Sequence, residues 1–211
     1  MSCAFQRFIH YAANSVLIEY DDPRAGEILD ALVYPFSCAG AENPYAVLRI
    51  DISNDPEPFY TLYQNEQMIC QTDNKASAAE NLLSQICHEL AMDSRDGLLF
   101  HAGGLCYHGH GLLLPGGIGQ GKSTFTAWMI TLGCDYLSDE LVYFPWESNT
   151  MIPFARPLHL KKPSRPVLQH LIDFNTPANK ILATGYSDLV HPTLLKADNL
   201  YCQPQAKVVL F

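Results

Sequence analysis

The twelve residues Leu112-Leu-Leu-Pro-Gly116-Gly-Ile-Gly-Gln-Gly-Lys-Ser123 run an apolar segment straight into a glycine-rich loop. Gly116 to Ser123 fit the pattern G-x-x-x-x-G-K-[ST] in full, the signature of a loop that cradles phosphates. Each residue type has its own reason. The glycines permit positive φ and let backbone N–H groups come close to an anion. A helix starting near Lys122 points its positive end at the same place. Lys122 offers a compact charge to the β- and γ-phosphates, and Ser123 a hydroxyl for Mg²⁺. The candidate nucleotide-binding residues are Gly116, Gly117, Ile118, Gly119, Gln120, Gly121, Lys122, Ser123 and Thr124. The plain alternative is a glycine-rich turn before a helix. A dinucleotide-binding reading fits less well, because no acidic residue ends a strand at the required distance.

Outward from the loop, the pattern predicts a strand on either side. Leu98–His101 reads as a buried strand, and Gly103–Gly111 as a strand and turn with His108-Gly109-His110 at its tip. His108 and His110 are expected to be turn residues rather than metal ligands. Lys122–Leu132 reads as a helix stopped by Gly133. The next strand, Tyr136–Phe144, carries Asp139 and Glu140 near its middle. Two acids in an apolar strand are costly without a cation or metal. Mg²⁺ held by Ser123 and a strand acid supplies that partner. Neighbouring strand residues face opposite ways, so both acids reach one site only if the strand ends or bulges there. Pro153–Pro166 follows as an extended loop with four cations and no acid: Arg156, Lys161, Lys162 and Arg165. It is either a phosphate or acidic-substrate contact or a solvated loop. Ser164–Phe174 reads as a short helix, and Lys207–Phe211 as a last apolar strand.

From Leu98 to Phe144 the chain resembles the HPr serine kinase/phosphorylase-related kinases. It is also similar to ATP-dependent phosphoenolpyruvate carboxykinase. The likeness rests on Leu99-Phe-His101-Ala-Gly103, the phosphate loop with its preceding strand, Tyr136-Leu-Ser-Asp-Glu-Leu-Val142, and Arg156-Pro-Leu-His-Leu-Lys161. It implies an α/β P-loop kinase core of that type, a mixed sheet with flanking helices. It implies an ATP-dependent kinase using Mg²⁺ and passing the γ-phosphoryl group to a serine-type hydroxyl of a protein, peptide or small molecule. Position by position, Lys122 and Ser123 hold phosphates and Mg²⁺, and Asp139 falls on the family's general base. Glu140 falls on a metal ligand that is Asp in the family. The reverse split, Asp139 on the metal and Glu140 as base, is the usual logic of other P-loop enzymes. His101 matches a histidine beside the site, the alternative being a satisfied core histidine. Arg156 is expected to neutralise charge developing on the transferred group. The resembling kinases continue past Phe211, so the core is expected to be cut short there. The rival readings are a nucleotide-binding module without transfer and a simple ATP hydrolase.

The rest of the 211-residue chain bounds these readings. Charged residues are 17%, low for a disordered chain, and 48% are hydrophobic, enough for a packed core. The net charge of −9 argues against a nucleic-acid or membrane-surface partner, though not against one locally bound anion. Seven cysteines, none in CxxC spacing, fit free thiols and a cytoplasmic setting. No signal peptide is evident. The 25 uncharged residues Gly97–Gly121 are too rich in Gly and His, with Pro115, for a spanning helix. Upstream, strands are expected at Ser15–Tyr20, Tyr45–Asp51 and Phe59–Tyr63, with a short helix at 25–32. The capping pattern Ser77-Ala-Ala-Glu80 and the spacing of Leu82, Leu83, Ile86 and Leu90 predict a helix over 76–92. The expected organisation is a strand-rich N-terminal lobe at 1–75 and the core at 76–211. A homo-oligomer is left open.

Overall fold

The computed structural model describes residues 4–32, 43–54, 56–92, 95–148, 150–176 and 180–195, and the backbone of 206–208. The chain divides into two compact units, residues 1–93 and 94–211.

The first unit is a five-stranded sheet with two helices. Its strands are β1 (Phe5–Tyr11), β2 (Asn14–Tyr20), β3 (Ala46–Asn54), β4 (Pro58–Gln64) and β5 (Gln67–Thr72), side by side in that order. Only β2 and β3 are parallel. That pairing needs a crossover, which α1 (Pro23–Leu32) supplies. Ala25, Ile28, Leu29 and Leu32 give α1 a buried stripe at i, i+3, i+4, i+7. Helix α2 (Lys75–Ala91) buries Ala79, Leu82, Leu83, Ile86 and Leu90 and packs against β2, β4 and β5. It therefore belongs to this unit, and the division falls at 93/94 rather than at 75/76. Its cap also differs from the expected one. Asn74, not Ser77, is the N-cap, and its side chain accepts the Ser77 N–H at 2.9 Å.

The second unit contains β6 (Gly97–Tyr107), β7 (His110–Pro115), α3 (Lys122–Thr131), β8 (Asp135–Ser138), β9 (Leu141–Pro145), β10 (Thr150–Met151), β11 (Leu158–Lys161), α4 (Arg165–Leu168), β12 (Ile181–Ala183), β13 (Ser187–Val190) and β14 (Ala206–Val208). One sheet runs β10-β14-β7-β6-β8, with β9 also paired to β6. The β7–β14 pair is parallel, and β6 is antiparallel to β7, β8 and β9. A separate antiparallel sheet runs β11-β13-β12. The architecture is mixed α/β, rich in strands and poor in helices. The core beneath the large sheet holds Ala102, Cys106, Leu137, Val142 and Met151. No helix among the described residues is long and apolar enough to cross a membrane.

Several expectations are corrected here. The two strands expected at Leu98–His101 and Gly103–Gly111 are one, β6, closed onto β7 by His108 (φ 49°) and Gly109 (φ 80°). His108 thus occupies a hairpin turn. The single strand expected over Tyr136–Phe144 is two, broken at the acids. The stretch Pro153–Pro166 is not loop throughout, since Leu158–Lys161 pairs with β13. The helix expected over Ser164–Phe174 is only Arg165–Leu168, preceded by a 3₁₀ turn at Lys162–Ser164. Of the strand expected at Lys207–Phe211, residues 209–211 lie outside the described residues.

Candidate functional site

Strand β7 ends at Pro115, and the loop 116–121 leads into α3. Gly119 (φ 83°) and Gly121 (φ 84°) are left-handed, a conformation a side chain would strain. Gly121 is the N-cap of α3 and has no side chain to cap the helix, so its first amides stay available to an outside acceptor. The loop is folded on its own side chains. Gln120 Oε1 accepts the Gly117 N–H at 2.7 Å. Lys122 Nζ donates to the carbonyls of Gly116 (2.7 Å) and Gly117 (3.2 Å). Ile118 is exposed, and the Thr124 hydroxyl bonds to that of Ser164 at 3.1 Å.

The acidic pair lies at the break between β8 and β9. Ser138 Oγ accepts the N–H groups of Glu140 (3.2 Å) and Leu141 (3.0 Å), a local turn that competes with the strand ladder. Across it, β6 stays attached, with Ala102 N–H donating to the Glu140 carbonyl at 3.0 Å. The register of His101↔Leu141 resumes at Gly104↔Ser138. The strand therefore ends at the acids, the condition under which both can serve one site.

Their surroundings differ. Asp139 is 3% exposed. Its Oδ2 accepts the His159 N–H at 2.9 Å, while Oδ1 is buried without a hydrogen-bond partner. The Ser123 hydroxyl stands near enough to stabilise the carboxylate, though it makes no well-formed hydrogen bond to Oδ1. Burial pushes the Asp139 pKa up to about 6, opposed by Arg156, the His159 amide and Ser123. Glu140 has both oxygens engaged. Oε1 lies 2.7 Å from Nδ1 of the half-exposed His101, and Oε2 accepts from Arg156 Nη1 at 2.9 Å. Arg156 is buried, and its carbonyl accepts the Tyr136 hydroxyl at 2.9 Å.

This geometry tests the fit to Mg²⁺. That ion binds protein through one or two oxygen ligands and leaves the rest of its shell to phosphate and water. The Asp139 carboxylate, near the Ser123 hydroxyl and with Oδ1 unpartnered, fits such a role. Glu140 fits it poorly, because both its oxygens are committed. Among the described residues no cluster of three or more His, Cys, Asp or Glu side chains forms a metal cage.

Ser123, Asp139, Arg156, Glu140 and His101 are thus brought together, and His101 is a half-exposed partner of Glu140 rather than a core histidine. The rest of the basic stretch does not join them. Lys162 and Arg165 hold Asp188, which is fully buried, at 2.6–2.8 Å. Arg165 also lies over the Phe174 ring, 5.0 Å from its centroid. Sequence reasoning passed over Ser138 and the His159 amide. The serine was the readable signal, since Ser ahead of two acids favours a local turn over a strand. The amide had none. Comparison with protein-family models, curated proteins and solved structures gives no match.

Proposed function

We propose that this chain is an ATP-dependent kinase of the HPr serine kinase-related kind, acting on a serine-type hydroxyl of a protein, peptide or small molecule. The observation that carries this reading is the meeting of the phosphate loop's Ser123 with the buried carboxylate of Asp139, one oxygen of which is unpartnered, next to a second carboxylate that orients an accessible imidazole. A phosphate cradle alone fits any nucleotide binder. A metal carboxylate plus a positioned base fits transfer.

Lys122 and the loop amides bind the β- and γ-phosphates and stabilise the charge that shifts during transfer. Ser123 and Asp139 hold Mg²⁺, which when bound neutralises phosphate charge. Glu140 fixes the His101 ring through Nδ1, leaving Nε2 to accept the acceptor's proton. The acceptor oxygen bonds to the γ-phosphorus as the bond to the β–γ bridging oxygen breaks, and ADP leaves. Arg156 is a positioning residue, since it is buried against Glu140 rather than turned to substrate. This division keeps Asp139 on the metal, as in other P-loop enzymes, but passes the role of base from the second acid to His101, which Glu140 positions.

The test is ATP labelled at the γ-phosphate, incubated with the protein and serine-bearing partners encoded beside its gene. Label is expected on a partner serine. Nucleotide binding with no label on any partner supports instead a binding module without transfer.

A further inference from the structure

Beside the phosphate loop, α3 and α4 enclose a half-open groove of about 310 Å³. Gly121, Thr124, Phe125 and Trp128 line it from α3, and Leu168 and Leu171 from the other side. The lining is almost wholly apolar. Thr124 turns its hydroxyl to Ser164, which leaves His170 and the indole N–H of Trp128 as the polar side-chain groups there. Phe125 and Trp128 pack edge to face, ring centroids 6.4 Å apart, and both are substantially exposed. Exposed aromatic rings in a concave wall invite a flat partner.

The groove is continuous with the phosphate loop, sharing Gly121 and Thr124 with it. Ser123 and Thr124 are successive helix residues and diverge by about 100° around the axis. The metal-facing and groove-facing flanks of α3 are thus distinct. None of Asp139, Glu140, His101 or Arg156 lines the groove. An acceptor hydroxyl must reach those groups, so the groove suits the unreactive end of the phosphate donor. Trp128 lies five residues beyond Ser123, about 7.5 Å along the helix. The α-phosphate and ribose together bridge a gap of that size.

We propose that this groove seats the nucleobase of the bound nucleotide against Phe125 and Trp128, by stacking rather than by hydrogen-bond readout. The proposal rests on the phosphate loop being a nucleotide site. Stacking on an aromatic side chain is sequence-tolerant, so adenine and guanine nucleotides are both accepted.

Calorimetric titration with Mg·ATP and with magnesium tripolyphosphate, which has the phosphates but no base, separates the two ideas. Trp128→Ala is expected to weaken ATP binding about tenfold and to leave tripolyphosphate unchanged, while Trp128→Phe restores most of the ATP affinity. Lys122→Ala is expected to weaken both ligands. Equal ATP affinity in wild type and Trp128→Ala, with Lys122→Ala impaired, overturns the base groove and leaves the phosphate loop standing. No effect of Lys122→Ala on either ligand overturns the phosphate loop, and the groove assignment with it. A second readout leaves the groove intact. The chain has two tryptophans, Trp128 and Trp146, so in Trp146→Phe all indole fluorescence reports on the groove. ATP should quench it and tripolyphosphate should not; identical responses to the two overturn the proposal.

Discussion

Asp139→Asn should make the metal-free protein more stable and less able to use magnesium. The ionised carboxylate is buried, with one oxygen held by the His159 amide and the other unpartnered. Burial raises its pKa from 3.8 to about 6. A raised acid pKa means that the native state holds its proton longer than the unfolded chain does. The contribution of Asp139 to stability is then most favourable below pH 4 and falls as pH rises from about 4 to about 6. At about 1.4 kcal/mol per pH unit, that gap costs the metal-free protein about 3 kcal/mol at pH 7. Asparagine keeps an oxygen for His159, turns an amide toward the Ser123 hydroxyl, and carries no charge to desolvate. Urea unfolding in EDTA across pH 4–8 measures the difference. The variant should match wild type near pH 4 and exceed it by about 2–3 kcal/mol at pH 7. Mg·ATP should then stabilise wild type by about 2.7 kcal/mol at a hundredfold excess over Kd, and the variant much less. A variant less stable than wild type at pH 7, or a difference independent of pH, refutes the account of Asp139.

Glu140→Gln should leave ATP affinity within about twofold while lowering phosphoryl transfer about a hundredfold or more, the usual worth of a positioned acid–base group; titration calorimetry and single-turnover transfer separate the two effects, and an equal loss of both contradicts the role given to His101. Asp188→Asn removes the charge from a buried carboxylate that accepts three bonds from Lys162 and Arg165, at a cost of about 2–3 kcal/mol. Burial alone would raise the Asp188 pKa, but the bonds from Arg165 and Lys162 hold it below the usual value of 3.8; the cost should therefore be full at neutral pH and shrink as pH falls from about 4 through the lowered native pKa, as urea unfolding against pH will read. Gly103→Ala would set a Cβ 2.6 Å from the buried Thr126 Oγ1, driving β6 and α3 apart and lowering stability by about 1–3 kcal/mol in thermal melts.

The sequence is most legible where a single residue type does a single physical job. The glycines of 116–121 and the stripes Ala25–Leu32 and Leu82–Leu90 place the loop and two helices correctly. Strand β1 is missed because its hairpin closes on Ala12, at φ 53°, a residue that carries no turn signal. The hairpin between β4 and β5 hides in the same way, its second turn residue being Glu66 at φ 68°. The boundary at 75/76 fails because periodicity marks α2 as amphipathic without saying which sheet it covers. At the site, the residue types at Ser123, Asp139, Glu140 and His101 are readable. Their division of labour is not, because it depends on which oxygen faces Arg156 and which faces nothing. That is a tertiary fact, created when β11 brings the His159 amide to Asp139.

The central claim is that Gly116–Ser123 binds nucleotide phosphate, and calorimetric titration of Mg·ATP into wild type and Lys122→Ala tests it most directly. Lys122 now spends its ammonium on the carbonyls of Gly116 and Gly117. Transferring it to phosphate is worth about 1.5–3 kcal/mol for each charge-assisted bond. Wild type is expected to bind Mg·ATP with one site per chain, and the folded Lys122→Ala variant at least about tenfold more weakly. Equal affinity in the two proteins, or no heat of binding in wild type, would contradict the account.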